Sequence, residues 1–442
     1  MSQDDQFIGK GQYIYSHGFD VTRSPWEFKP MPPIEEEFDN GIYTGNYKIT
    51  SIFPDAFETG GVWVWTEDWK VKDSTGTTVA DVGTFTPVID AILFLGVYYV
   101  FTADSIYPYT PSGGSLTPLT PIVPSVGSFY THPVIYQGGE MYFPNNYNVF
   151  YIDSTGVLQT LFTTDFSRRV RGVSVQGSNL RVYTEFLVSI VDIGTKTVSY
   201  SQVLPFSING VKSDGLVDYV ITDTDEMYIC SWLEYRKICE SERSDTLANY
   251  TAYNTKFTFK THRDATTLSI ANDRVYTIDN NAPRFLIYGK KMEWLTSAFS
   301  YWPVHTDIGW NITNFTAILC FNNTIYVGYT YAGNNRFGSI DLTSTDTCYE
   351  SVLITAENDF WDFSLEKQLN EIRIGKEWTT GTLWASIDGS TFEQVDTLDQ
   401  TEIENKTIDY KPVFRKLALM FKLNSSTDKI INADVRFTKN QV

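Results

Sequence analysis

Carboxylates are the most abundant reactive groups in this chain, with 53 Asp and Glu against 34 Lys and Arg. Two of them facing each other across a pocket, one protonated and one ionised, would do the chemistry of a glycosidase. Asp90, Asp218 and Asp359 stand near the starts of apolar, strand-like runs, where a channel-lining pair would be drawn from. With carboxylates this dense, spacing selects no pair. The plainer expectation is solvated acids at strand edges.

The remaining chemistry is sparse. His17, His132, His262 and His305 lie far apart, and no two have the H-x-H or i, i+4 spacing of a metal site. Cys230, Cys239, Cys320 and Cys348 form no C-x-x-C, which argues against a zinc ribbon. Four thiols in 442 residues do not make a disulfide scaffold. The DTDE run at 223–226 lacks the spacing of an EF-hand. No G-x-S-x-G elbow, phosphate-binding G-x-x-x-x-G-K-[ST] or dinucleotide fingerprint occurs. No metal, no cofactor and no enzymatic activity are therefore expected. Arg168, Arg169 and Arg171 are the one tight basic cluster. They read as an exposed basic spot or as a contact for an acidic partner. A sialidase needs converging arginines for its substrate carboxylate, and these three share one loop-like stretch. Residues 386–392 (SIDGSTF) resemble an Asp-box one residue short, and an Asp-box is a device for folding a hairpin.

The elements that would position these groups are strands. Aromatic residues make up 15% of the chain, a bias that favours pleated surfaces. Between residues 60 and 330 one pattern recurs seven times: an alternating apolar strand, a polar turn, a second strand, then Asp or Gly with Ser or Thr. The copies start near Val62, Val97, Glu140, Leu180, Asp218, Arg274 and Thr324. Period-two alternation marks half-buried antiparallel strands, and the DSTG runs at 73–76 and 153–156 mark hairpin turns. Spacings of roughly 35 to 55 residues bracket a four-stranded propeller blade. The expected fold is all-β: a propeller of six to eight blades over 60–357. One blade must close the ring with a strand from before Gly60 or after Glu357. Residues 234–249 fall in the widest gap between copies and read as an insertion at a blade edge with room for a short helix.

The ends differ from the middle. Residues 1–59 read as an extended arm, because Pro25, Pro30, Pro32 and Pro33 are too dense for a regular element. Tyr13, Tyr15, Trp26 and Phe28 give it an adhesive side, which packs on its own domain or clasps a neighbouring subunit. Residues 358–442 hold longer strands, with Asp388–Gly389 as a hairpin signal, and suit a β-sandwich or an extension of the ring. The run 411–422 reads as strand. The N-terminal sequence has no basic start followed by an apolar stretch, and no apolar run approaches a membrane span. Folding in a cytoplasm is expected. The net charge of −19 argues against wrapping of a nucleic-acid backbone. It fits a conduit whose acidic wall repels that backbone, and equally fits solubility alone.

Two phrases carry a resemblance. Residues 13–33 (YIYSHGFDVTRSPWEFKPMPP) look like the N-terminal arm of virion proteins from short-tailed bacteriophages. LWASIDGSTFEQV, then FRKLALMFKL and a final INADVRF strand, is similar to their tail hub or nozzle proteins. The resemblance implies a non-enzymatic homo-oligomer, a hexameric ring below the portal. Its partners would be adaptor, fibre or plug proteins, with genomic DNA passing through the lumen without sequence-specific binding. It implies assembly in the host cytoplasm and residence in the virion tail. Two other readings stay open at this point: a glycan-binding or glycan-cleaving propeller, and a host-surface adhesin, which needs exposed aromatic patches on one face.

Overall fold

The structure, a computed structural model, describes residues 5–7, 13–17, 19–20, 29–30, 32, 34–39, 46–55, 61–68, 70–81, 88–112, 115–124, 132–137, 139–165, 168–231, 234–240, 260, 266–271, 274–280, 283–289, 298–303, 312–344, 351–355, 366–377, 381–398, 404–408, 410–423 and 429–439. The architecture is all-β, a seven-bladed propeller joined to a two-sheet sandwich. Six separate four-stranded sheets and the first four strands of a nine-stranded sheet make the seven blades among the described residues.

Each copy of the repeat begins on the second strand of a blade. Val62–Thr66, Val97–Thr102, Glu140–Asn145, Asn179–Thr184, Asp218–Thr222, Arg274–Ile278 and Thr324–Tyr331 are these strands. They are the most deeply buried of their blades, because both faces pack on neighbouring blades. Their innermost partners are Ile49–Pro54, Val88–Phe94, Val134–Tyr136, Val170–Gln176, Ile208–Ser213, Leu268–Ala271 and Ile312–Phe321.

A threonine ends several of these second strands and shapes the hairpin that follows. Thr66 Oγ1 donates to Lys70 O at 3.1 Å, Thr102 Oγ1 to Ser105 O at 2.9 Å, Thr184 Oγ1 to Leu187 O at 3.3 Å and Thr222 Oγ1 to Glu226 O at 3.3 Å. In each case the hydroxyl adds a side-chain bond across the turn. The next hairpin out uses aspartate. Asp73 Oδ1 accepts the Thr75 and Thr77 amides at 2.9 Å, and Asp153 Oδ1 accepts those of Thr155 and Val157 at 2.9 and 3.1 Å. This is the work of the DSTG runs.

Blades adhere through aromatic side chains. Trp63 lies 4.8 Å from Tyr98, whose hydroxyl donates to Pro54 O at 2.9 Å, joining blades one and two. Phe101 meets Phe143 at 5.2 Å between blades two and three, and Phe285 meets Phe315 edge-on at 5.4 Å between six and seven. At the last seam, a Cβ on Gly328 of blade seven would stand 2.7 Å from Ile49 Cβ of blade one and 2.6 Å from Thr316 Oγ1. Only a glycine permits that approach.

The N-terminal segment closes the ring. Glu35–Asp39 pairs antiparallel with Asn334–Asp341 as the fourth strand of blade seven. Glu36 is ion-paired with Arg336, and Ser339 Oγ donates to Glu37 at 2.6 Å. Asn46 then ties the chain to the next hairpin, accepting from Asn335 N and donating to Gly333 O, both at 2.6 Å, just before blade one starts at Ile49.

Beyond the ring, Asp5–Phe7, Lys429–Lys439, Lys367–Glu377 and Glu404–Ile408 form one sandwich sheet. Tyr13–His17, Ser351–Thr355, Leu417–Leu423, Gly381–Ile387 and Glu393–Thr397 form the other. Leu369, Ile372 and Val435 from the first pack on Leu383, Leu419 and Phe421 from the second. The second sheet runs on into blade six through Tyr13–His17, which pairs parallel with Ala298–Pro303.

The described strands cut across the expected divisions at 59/60 and 357/358. Among the described residues the arm is divided between the sandwich and blade seven, and Ser351–Thr355 already belongs to the sandwich. The expectation of a short helix within 234–249 is corrected for its first half. Glu234–Glu240 is the fourth strand of blade five, paired with Glu226–Ser231. Tyr235 anchors it edge-on against Phe206 at 5.4 Å, a packing contact that outweighs the helix-tolerant charges around it.

Candidate functional site

The residues singled out at the N-terminus lie at the joint between ring and sandwich. Tyr13 and Tyr15 are on a strand whose backbone is paired on both sides within the chain: Tyr13 opposite Thr355, Tyr15 opposite Ile354, and His17 opposite both Val352 and Tyr301. Trp26 and Phe28 lie outside the described residues, as do His262, His305 and Asp359.

The C-terminal phrases meet the N-terminal one at the same joint. Ile354, the backbone partner of Tyr15, is paired on its other side with Met420, and Met420 with Trp384. The INADVRF run lies on Lys429–Lys439 in the facing sheet, where Val435 and Phe437 enter the shared core. The Asp-box-like turn has a defined task. Asp388 and Gly389 both take positive φ, 51° and 78°. Asp388 Oδ1 then accepts the Arg415 and Lys416 amides at 2.8 and 2.7 Å, fastening the hairpin tip to the start of Leu417–Leu423.

On the ring, the two described aspartates are not solvated edge acids, which corrects that expectation. Asp90 sits on the innermost strand of blade two. Its Oδ2 lies 2.8 Å from His132 Nδ1, with both residues buried. Burial opposes ionisation of Asp90. The hydrogen bond and charge of His132, the Lys212 ammonium of blade five and the Ala91 amide outweigh it and hold the carboxyl below its ordinary value. Asp218 opens the second strand of blade five and is fully buried. Arg181 of blade four reaches it at 3.3 Å and donates to Cys230 O at 3.3 Å, and Tyr183 donates its hydroxyl to the same carboxylate. Burial and Asp218 together push the Cys230 thiol up to about 12. Each acid has its own buried partner, His132 for Asp90 and Arg181 for Asp218.

The other candidates are engaged as well. Arg168 pairs with Asp165 at 3.3 Å and Arg171 with Glu185 at 3.8 Å. In the DTDE run, Asp223 accepts from Ser207 at 2.5 Å and Glu226 from Lys237 at 2.8 Å. A clasp with no counterpart in the sequence expectations joins blades three and four. Lys196 Nζ bonds Glu140 at 2.6 Å while lying 4.5 Å from the Tyr151 ring centre and 5.0 Å from that of Tyr142. Arg181 carried a readable signal, a lone charge inside the apolar run LRVYT, which requires a buried partner. Lys196 carried none, because Glu140 and Tyr142 stand 56 and 54 residues upstream.

Neither a protein-family model nor a curated protein matches this sequence. Solved structures do match in fold. The β-propeller domain of Myceliophteria thermophila Cps50 (Swd1) is similar at a TM-score of 0.51 and 11% identity, over 70% of this chain and 100% of that one. A catalytically inactive variant of virginiamycin B lyase from Staphylococcus aureus, with quinupristin, aligns at 0.49 and 10% identity, over 70% of this chain and 99% of that one. The fold of this chain is a β-propeller, and no chemistry passes to it from these likenesses. Among the described residues no helix is long and apolar enough to cross a membrane.

Proposed function

We propose that this chain is a non-enzymatic wall protein of a bacteriophage tail. It forms part of a nozzle or hub ring below the portal and adaptor, through which DNA leaves the virion. The observation that carries the reading is the meeting of the chain's two ends. The phrases that resemble tail hub and nozzle proteins stand at opposite ends of the sequence, yet Tyr15, Ile354, Met420 and Trp384 stand on successive strands of one sheet. Sequence likeness that converges on one body is what a shared assembly module produces.

Two further features support it. The buried acids that enzymatic chemistry would draw on are held by partners from other strands and blades, Asp90 by a hydrogen bond with His132 and Asp218 by an ion pair with Arg181, a use that stiffens a wall. The net charge of −19 keeps a DNA backbone from adhering to a lumen. In this reading the chain is a homo-oligomer, a hexamer, that contacts adaptor, fibre or plug proteins, is assembled in the host cytoplasm and resides in the virion tail. Native mass spectrometry of the purified full chain tests it. The expected result is a closed ring at a sixfold multiple of the chain mass. A chain that remains monomeric up to about 100 μM, and is absent from purified tail particles, overturns it.

A further inference from the structure

The innermost strands of the blades surround the axis of the ring. In blades one, two, four and five each carries a β-bulge near its start, with register shifts at Ile49/Ser51, Val88/Asp90, Val170/Gly172 and Ile208/Gly210. Counted from the bulge, Phe53, Ile92, Ser174 and Lys212 stand at the same level of these four strands. A lysine therefore stands where its counterparts are a phenyl ring, an aliphatic chain and a hydroxyl. Lys212 is half-buried, and its ammonium makes no hydrogen bond or ion pair among the described residues. A charge withdrawn from water without a counter-charge is costly.

Lys212 reaches into the axial space. Its charge helps to hold the Asp90 carboxyl of blade two down, although blades three and four separate the two along the ring. Blades that are not neighbours share only the axis. Asp90 does not pair with the ammonium: His132 Nδ1 and the Ala91 amide hold its two oxygens, each at 2.8 Å. On the other side of the axis the space is closed. Thr266, at the entry to blade six, donates its N–H to Thr50 O of blade one at 3.0 Å and accepts from Ile318 N of blade seven at 2.9 Å. At this crossing Thr50 Oγ1 is buried and finds no partner among the described residues. Asn209, the bulged residue of the Lys212 strand, is half-buried, and its side-chain amide makes no hydrogen bond among the described residues.

We propose that the axial space faced by Lys212, Asn209 and Thr50 binds one small oxyanion, a phosphate or a carboxylate. The ammonium supplies the charge, and the amide and hydroxyl supply directed donors for the remaining oxygens. An unpaired ammonium beside an acid that is already held selects an anion over a cation. The bonds that bring blades six and one together across the axis leave no room for a nucleic-acid strand or a peptide. A buried hydroxyl and a half-buried ammonium without partners are the groups that a bound ion would satisfy. The site is independent of the tail assignment, and either stands if the other falls.

Isothermal titration calorimetry of the full chain with inorganic phosphate, at an ionic strength held constant with sodium chloride, tests the site. Saturable binding at one site per chain is expected, with a rise in melting temperature. A parallel titration with acetate separates the two sources. Binding of phosphate alone assigns a phosphoryl group, binding of acetate alone assigns a carboxylate, and binding of both assigns the oxyanion chemistry they share. Lys212→Met is expected to weaken binding at least about tenfold, the loss of one charge-assisted hydrogen bond. Asn209→Asp, which sets a carboxylate beside the ammonium, is expected to abolish it. Both variants should keep the wild-type far-ultraviolet spectrum, and Lys416→Met, at an exposed lysine of the sandwich, should bind as wild type does. No saturable binding of either anion, or wild-type affinity in a folded Lys212→Met or Asn209→Asp chain, overturns the proposal.

Discussion

Arg181 of blade four and Asp218 of blade five meet 3.3 Å apart with 2% and 0% of their surfaces exposed. Two charges this deep lose most of their hydration, and among the described residues each other, Tyr183 and the Cys230 carbonyl compensate for it. Removing one partner leaves the other charged in an apolar seam. Asp218→Ala is expected to destabilise the protein by about 3–5 kcal/mol, read as a lower urea midpoint, whereas Asp218→Leu with Arg181→Met stays within about 1–2 kcal/mol of wild type. Equal losses from the single and double changes would contradict this.

Gly328 marks the seam where the ring closes. With its Cβ position 2.7 Å from Ile49 Cβ, Gly328→Ala must push blade seven from blade one, at about 1–3 kcal/mol. Gly139 has nothing within 4 Å of its Cβ position, so Gly139→Ala is the control and is expected to be near neutral. Thermal unfolding of both variants checks the contrast.

The repeat was legible because it is local. Val62, Val97 and Glu140 start copies because each opens a buried second strand, and the DSTG turns mark outer hairpins through contacts within four residues. The closing strand was legible only as a need. Glu35–Asp39 is nearly all acid, so it shows no apolar alternation, and Glu36 finds Arg336 300 residues on. Charge also hid the strand at Glu234–Glu240, where the deciding contacts come from Phe206 and Tyr228. The Asp90–His132 pair had no signature either, because its 42-residue separation is set by how two blades pack and not by any spacing rule.

The aspartate turns impose a pH dependence. Hydrogen bonds from Thr155 and Val157 hold the Asp153 carboxyl down at about 2. A depressed folded value means the stabilisation is complete above the ordinary carboxylate range near 4 and is lost as the pH falls towards 2. Wild type should therefore melt above Asp153→Ala at pH 6, with the gap narrowing steadily between pH 4 and 2. A gap independent of pH would contradict the assignment.

Truncation should separate the two uses of the N-terminus. Deleting residues 1–40 removes the fourth strand of blade seven, so it should lower the melting temperature and expose the Asn334–Asp341 edge to aggregation. Deleting residues 1–8 removes only Asp5–Phe7 from the sandwich edge and should leave the ring intact. Light scattering during a thermal ramp distinguishes them, and equal behaviour would contradict ring closure by Glu35–Asp39.

Electron microscopy of the purified full chain, with rotational symmetry read from class averages, tests the central claim most directly. The account predicts closed rings of six copies around an open lumen, with the sandwich built from both chain ends at the contact between neighbours. Isolated propellers of single-chain size at every concentration, without rings, would contradict it.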